Sequence, residues 1–251
     1  YLPTIRQHYA TFWQRNIPVD VVFSDSDFSR YRVLVAPMLY MLKPGVAERI
    51  TDFVKQGGTF VTTYFSCMVD ECDLAFENGY PGPLREVLGI WNEEIDALTP
   101  EQQNRIVMLD SGASYTCGRL CALLRCEGAT PLATYGDDFY AGTPVLTRHS
   151  SGAGQAYYLA SEPEPRFLDD FYARLLAEQH IQPVLETPSG VEATVRQTTR
   201  GPLLFVLNHQ DAPVQVALPP SRRYRDLLRD TEITAALALA AYDVAILAEI
   251  S

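Results

Sequence analysis

Two glycines followed by an unbroken apolar and β-branched run constrain this chain more than any other stretch: Gly57-Gly58-Thr59-Phe60-Val61-Thr62-Thr63-Tyr64. Upstream, Arg32-Val33-Leu34-Val35-Ala36-Pro37 is apolar on both faces, as strands buried in a parallel sheet are. Between the two, Val46, Ile50, Phe53 and Val54 recur at helical spacing behind Pro44, and Gly57 stands where a helix C-cap needs a left-handed residue. Strand, helix and strand make a βαβ unit, which crosses over right-handed. The spacing therefore predicts a doubly wound α/β start to the chain.

In open α/β sheets, chemistry gathers at the carboxyl ends of strands. The run ends here at Phe65-Ser66-Cys67-Met68-Val69-Asp70-Glu71, which makes Cys67 a candidate nucleophile on a strand-to-helix elbow. A cysteine hydrolase needs a base within reach of the thiol and donors for an oxyanion. A strained elbow also wants small flanking residues, yet Phe65 and Val69 stand two places to either side. None of His8, His149, His180 or His209 is followed two places on by an acid. Cys67 is therefore expected to be an ordinary thiol, with a cysteine-dependent, amidotransferase-like hydrolase as the alternative. Asp70 and Glu71 are adjacent, so their side chains diverge and poorly suit the close carboxylate pair of a retaining glycosidase. They are expected to cap a helix start or to pair with an arginine such as Arg85.

Around this unit the pattern predicts a helix over 3–16 with Ile5, Tyr9, Phe12 and Trp13 as its apolar stripe, and a short strand over 19–23. The turn formers Asn78-Gly79-Tyr80-Pro81-Gly82-Pro83 lead into a short helix through Leu88. Further on the readings are a strand over 105–109, a helix over 117–126, strands over 131–135, 144–148 and 155–160, and a helix over 164–179. Gly152-Ala153-Gly154 follows one strand and opens another, so it reads as a hairpin turn and not as a dinucleotide fingerprint. Trp13, Trp91 and Tyr157-Tyr158 are expected to pack in the interior. Past Pro183 come short strands over 191–196, 202–208, 214–218 and 242–247, with 235–241 open between helix and strand. We accordingly expect an α/β domain over 1–185 and a small antiparallel β domain over 186–251.

The formal net charge of −11 argues against nucleic acid and anionic membrane surfaces as partners, because both require a cationic face. No apolar run is long enough for a bilayer, and Tyr1 leads us to expect a chain cut from a longer protein. The five cysteines, Cys67, Cys72, Cys117, Cys121 and Cys126, are odd in number and fit free thiols in a reducing cytoplasm. Cys117 and Cys121 fall one turn apart on the predicted helix, but no histidine or CxxC pair completes a zinc set. No cofactor or metal is expected.

Two motifs carry a resemblance. Thr63-Tyr64-Phe65-Ser66-Cys67-Met68-Val69-Asp70-Glu71 and Gly79-Tyr80-Pro81-Gly82-Pro83-Leu84-Arg85-Glu86-Val87-Leu88-Gly89-Ile90 resemble the middle domain of glycoside hydrolase family 42 β-galactosidases. Ile17-Pro18-Val19-Asp20, Val35-Ala36-Pro37, Gly57-Gly58-Thr59, Tyr140-Ala141-Gly142-Thr143-Pro144 and Tyr242-Asp243-Val244-Ala245-Ile246-Leu247 extend it along nearly the whole chain. The resemblance implies a trimerisation domain of flavodoxin-like or class I glutamine-amidotransferase-like fold, followed by a C-terminal β domain. The TIM barrel and its two catalytic glutamates are not among these residues. Where Cys67 stands, the family motif leads us to expect glycine, and where Cys72 stands, a polar residue. No residue here is then catalytic, and Tyr64, Phe65, Asp70, Glu71, Tyr80 and Arg85 are the candidates for facing the barrel or its cleft. The implied partners are the chain's own barrel, two further copies in a homotrimer, and a galactoside bound by the whole enzyme. A stand-alone assembly or carbohydrate-binding module is a further alternative.

Overall fold

The computed structural model describes residues 1–77 and 79–250, so Asn78 of the turn-rich stretch lies outside the described residues. Backbone packing divides the chain into two units: 1–8 with 22–171, and 9–21 with 172–251.

Helix α1 (Leu2–Trp13) opens the chain. Its buried positions are Thr4, His8, Thr11 and Phe12, whereas Tyr9 and Trp13 are exposed. The expected stripe is thus rotated: of its members only Phe12 is buried, and the predominantly polar face turns inward. The run 19–23 is not a strand. It makes no ladder, and Val21 and Phe23 are 89% and 82% exposed, so nothing on either side orders it.

The first unit continues with β1 (Val33–Ala36), α2 (Val46–Lys55), β2 (Thr59–Thr63), a 3-10 turn (Gly82–Leu84) and α3 (Arg85–Leu88). Then come β3 (Ile90–Ala97), β4 (Asn104–Met108), β5 (Ser114–Cys126), β6 (Thr130–Tyr135), β7 (Pro144–Ser151), β8 (Gly154–Leu159) and β9 (Ser161–Pro163). These strands form one nine-stranded sheet in the order β1-β2-β8-β7-β6-β4-β5-β3, with β9 also paired to β5. Only β1-β2 and β2-β8 are parallel, and every other pairing is antiparallel. The architecture is a mixed α/β sheet in which the parallel pairing expected of a doubly wound domain is confined to β1, β2 and β8. Short hairpins explain part of the rest: β7 and β8 are joined at Gly152, and so tight a connection permits only antiparallel neighbours.

Helix α2 buries Val46, Ala47, Ile50, Phe53 and Val54. Its last carbonyl, of Lys55, accepts the Ala153 N–H at 3.0 Å, and just beyond the helix the Gly58 carbonyl accepts the Gln155 N–H at 3.2 Å. This approach requires glycine at 154, where a Cβ would stand 2.2 Å from the Val54 carbonyl oxygen.

The helix expected over 117–126 is strand. Its leucine, alanine and arginine content favours a helix locally, but β5 pairs with β3, β4 and β9 and buries Cys117, Cys121, Ala122 and Leu124. Propensity is a weak prior that tertiary pairing overrides. Helix α4 (Pro165–Glu178) follows β9 and packs Phe167 edge-on against Tyr115 and Phe171 against Tyr157.

The second unit holds β10 (Val191–Thr198), β11 (Gly201–Asn208), β12 (Val214–Ala217), β13 (Arg223–Asp226), β14 (Thr231–Ile233), β15 (Ala236–Leu239) and β16 (Val244–Ile250). A five-stranded antiparallel sheet runs β10-β11-β16-β13-β14, and β12 pairs with β15. Val206, Val216, Leu237, Leu239, Ala245 and Leu247 lie at its centre. Asn16 braces this unit: its amide donates to the Leu185 carbonyl and Thr187 Oγ1 and accepts the Ala193 N–H.

Candidate functional site

The carboxyl ends of β1 and β2 are tied by side-chain hydroxyls. Leu39 N–H donates to Ser66 Oγ at 2.9 Å, Ser66 lies 2.8 Å from Thr62 Oγ1, and Thr62 donates to the Ala36 carbonyl at 2.8 Å. Met38 N–H bonds Thr63 Oγ1 at 2.9 Å, and the backbone N–H groups of Cys67 and Met68 reach the carbonyls of Leu39 and Tyr40. The connection after β2 is therefore zipped to the one after β1.

Within this connection Phe65 and Cys67 adopt left-handed φ of 61° and 55°. A bent, elbow-like backbone is present after all, and at Cys67 it is the geometry that glycine takes without cost. The thiol is not activated. Cys67 is fully buried, and desolvation pushes its pKa up to about 12. The imidazoles face other groups: His149 Nδ1 lies 3.0 Å from the Val87 carbonyl, and His209 Nε2 lies 3.0 Å from Glu192. Burial pushes His8 down to about 4, which keeps it neutral.

Above the elbow, Tyr40 and Phe65 stack with centroids 5.2 Å apart, and Tyr40 Oη donates to Asp73 at 3.2 Å. Asp70 neither caps a helix nor meets Arg85. Its Oδ1 accepts the N–H groups of Cys72 and Leu74, closing a tight turn. Arg85 instead makes a two-pronged ion pair with Glu127 at 2.6 and 2.5 Å. Glu71 is exposed and Tyr80 is half-buried beside Asn92. Tyr64, by contrast, is 1% exposed with its hydroxyl 3.5 Å from Thr4, so it supports the turn from below and presents no side-chain surface.

Neither tryptophan is interior. Trp91 is half-buried, with the guanidinium carbons of Arg85 and Arg125 5.4 and 5.6 Å from its ring, and Arg125 pairs with Glu93. Trp13 is 36% exposed and lies 5.9 Å from the His209 ring. Tyr157 and Tyr158 are buried in β8 as expected. Sequence reading missed a groove of about 560 Å³ lined by the β3–β4 connection, the β5 segment 116–119 and the β9 end 162–164. The tight turn signal Thr99-Pro100 marks its rim, but nothing local announces the irregular β5 backbone that forms its floor. Among the described residues, no group of three or more His, Cys, Asp or Glu is placed to hold a metal ion.

The first unit is thus a mixed α/β domain with a buried, unactivated thiol at its elbow, and the second is a small antiparallel β domain. Residues 1–182 match the family model of the β-galactosidase trimerisation domain, and residues 190–249 match that of the β-galactosidase C-terminal domain. The chain belongs to this family and is its non-catalytic part. It is 43% identical over 254 residues to β-galactosidase BgaA of a Planococcus species, covering 100% of this chain and 37% of that protein. It is 47% identical over 216 residues to β-galactosidase Pbg of Clostridium perfringens, covering 83% and 31%. The crystal structure of β-galactosidase from Bacillus circulans sp. alkalophilus superposes with a TM-score of 0.95 at 45% identity, over 100% of this chain and 38% of that one. The chain thus spans well under half the length of the relatives it matches.

Proposed function

We propose that this chain is the assembly and C-terminal portion of a β-galactosidase that hydrolyses terminal β-D-galactosides with retention. The reaction belongs to two glutamates of a TIM barrel outside these 251 residues. The carrying observation is the match of 1–182 to a trimerisation domain in a chain spanning 37% of its Planococcus relative.

The assembly is a homotrimer, with 1–185 as the associating domain and 186–251 as the terminal β domain. The parallel β1-α2-β2 unit supports a flavodoxin-like or amidotransferase-like ancestry for the first. Phe65, Asp70, Glu71, Tyr80 and Arg85 face the barrel, and Tyr64 holds their turn in place. Five free cysteines favour a cytoplasmic setting. Among the described residues, no helix is long and apolar enough to cross a membrane.

Sedimentation equilibrium over a wide concentration range tests the assembly. The expected result is concentration-dependent association reaching the trimer. A strict monomer at high concentration overturns the assignment of assembly to this chain. Incubation with a chromogenic galactoside tests the division of labour, and turnover by the purified chain alone overturns it.

A further inference from the structure

The irregular stretch of β5 brings two cysteines together. Cys117 stands opposite Pro163 and Cys121 opposite Ser161, so four steps along β5 span two steps along β9. The surplus is taken up by a bulge in which Arg119 has φ of 60°. Ser161 and Pro163 share one face of their strand, so their partners share a face too. Two strand steps are about 6.6 Å, within the Cα separation a disulfide bridges. Both cysteines are buried, at 2% and 0% exposure, and Cys121 Sγ lies 3.5 Å from Ser161 Oγ.

The neighbouring thiols shift each other in opposite directions: Cys121 holds the Cys117 thiol protonated, and Cys117 lowers the pKa of Cys121. Cys117 also lines the groove beside β9, whose mouth carries the Arg119–Glu162 ion pair. A small oxidant therefore has a route to one member of the pair, while Cys67 has no such partner.

We propose that Cys117 and Cys121 are a redox-active pair, a modification site that closes to a disulfide across the β5 bulge when a peroxide enters the adjoining groove. One thiolate sulfur attacks the peroxide O–O bond, giving a sulfenic acid and hydroxide. The second sulfur attacks the first, the S–S bond forms, and the sulfenic hydroxyl leaves as hydroxide. The two thiol protons convert both hydroxides to water. Two thiols are oxidised and one peroxide is reduced to two waters.

Trypsin makes the bond directly readable, because cleavage after Arg105, Arg119 and Arg125 places Cys117 and Cys121 on separate peptides, 106–119 and 120–125. The chain carrying Cys72→Ser and Cys126→Ser, which removes the two exposed thiols, is treated with hydrogen peroxide, alkylated and digested without reductant. The expected result is the 106–119/120–125 cross-linked species, lost on adding dithiothreitol, with both thiols consumed at least tenfold faster than Cys67. Free or sulfinic Cys117 and Cys121 with no linked peptide overturns the proposal, as does loss of Cys67 at the same rate. Both readouts come from one folded protein, so neither needs a variant at 117 or 121.

Discussion

Thr62 Oγ1 and Ser66 Oγ lie 2.8 Å apart in the interior, and each satisfies a backbone group of the neighbouring connection. The pair is a relay in which one hydroxyl hands its donor on to the next, from Leu39 N–H to the Ala36 carbonyl. Ser66→Ala leaves Leu39 N–H without that acceptor, and Thr62→Val removes the donor to Ala36; each should cost about 1–3 kcal/mol. Because both break one chain, the double variant should fall short of the sum by about 0.5 kcal/mol or more. Urea unfolding of the four proteins measures this, and strict additivity would show that the hydroxyls act independently.

Cys67 combines full burial with a left-handed φ of 55°. At an ordinary buried site glycine is worse than alanine by about 0.5–1 kcal/mol of backbone entropy. Here the left-handed conformation costs alanine about 1 kcal/mol that glycine avoids. Cys67→Gly should therefore be at least as stable as Cys67→Ala. Thermal unfolding of both decides it, and a glycine variant clearly below the alanine one counts against backbone strain at this position.

His8 is buried with a pKa lowered to about 4 from 6.5. Between these values the unfolded chain binds a proton and the folded chain does not, so stability rises with pH across that window and is lost as pH falls through it. The shift corresponds to about 3 kcal/mol. In His8→Gln, the stability difference from the parent chain should narrow as pH falls from 7 towards 4. Parallel stability–pH curves for the two proteins would mean that His8 binds its proton equally in the folded and unfolded chains.

Asp226 in β13 is fully buried and accepts the Leu228 N–H at 2.9 Å and Arg229 at 2.7 Å; Arg229 also reaches Asp243 at 2.6 Å. Burial alone would raise Asp243, but the Val244 and Ala240 N–H groups and the Arg229 guanidinium together bring it below the usual carboxylate range. Asp226→Asn should cost about 2 kcal/mol, because the charge facing Arg229 is lost in the interior. Asp243→Asn, at a partly exposed site, should cost less, about 1 kcal/mol. Equal costs in urea titrations would show that burial does not separate the two carboxylates.

What the sequence by itself determined is the part governed by neighbours along the chain. The βαβ unit, α4, the β7–β8 hairpin and the strands β10 and β11 follow from spacing, glycines and turn residues, and the motifs around Thr63 and Gly79 carry the family. Local signals also argued against a catalytic Cys67, because its flanking residues and the histidine spacing do not suit a nucleophile elbow. Only tertiary structure decided which face α1 buries, since the side of a helix turned inward depends on what packs there. The same holds for β5: its composition reads as a helix, and three strand partners make it an irregular strand. Arg85 met Glu127 and not Asp70 because sheet register, set by long-range pairing, places residues 85 and 127 together. The Cys117–Cys121 juxtaposition is the clearest case, because it depends on a bulge measured against β9, a strand some forty residues downstream of the first cysteine.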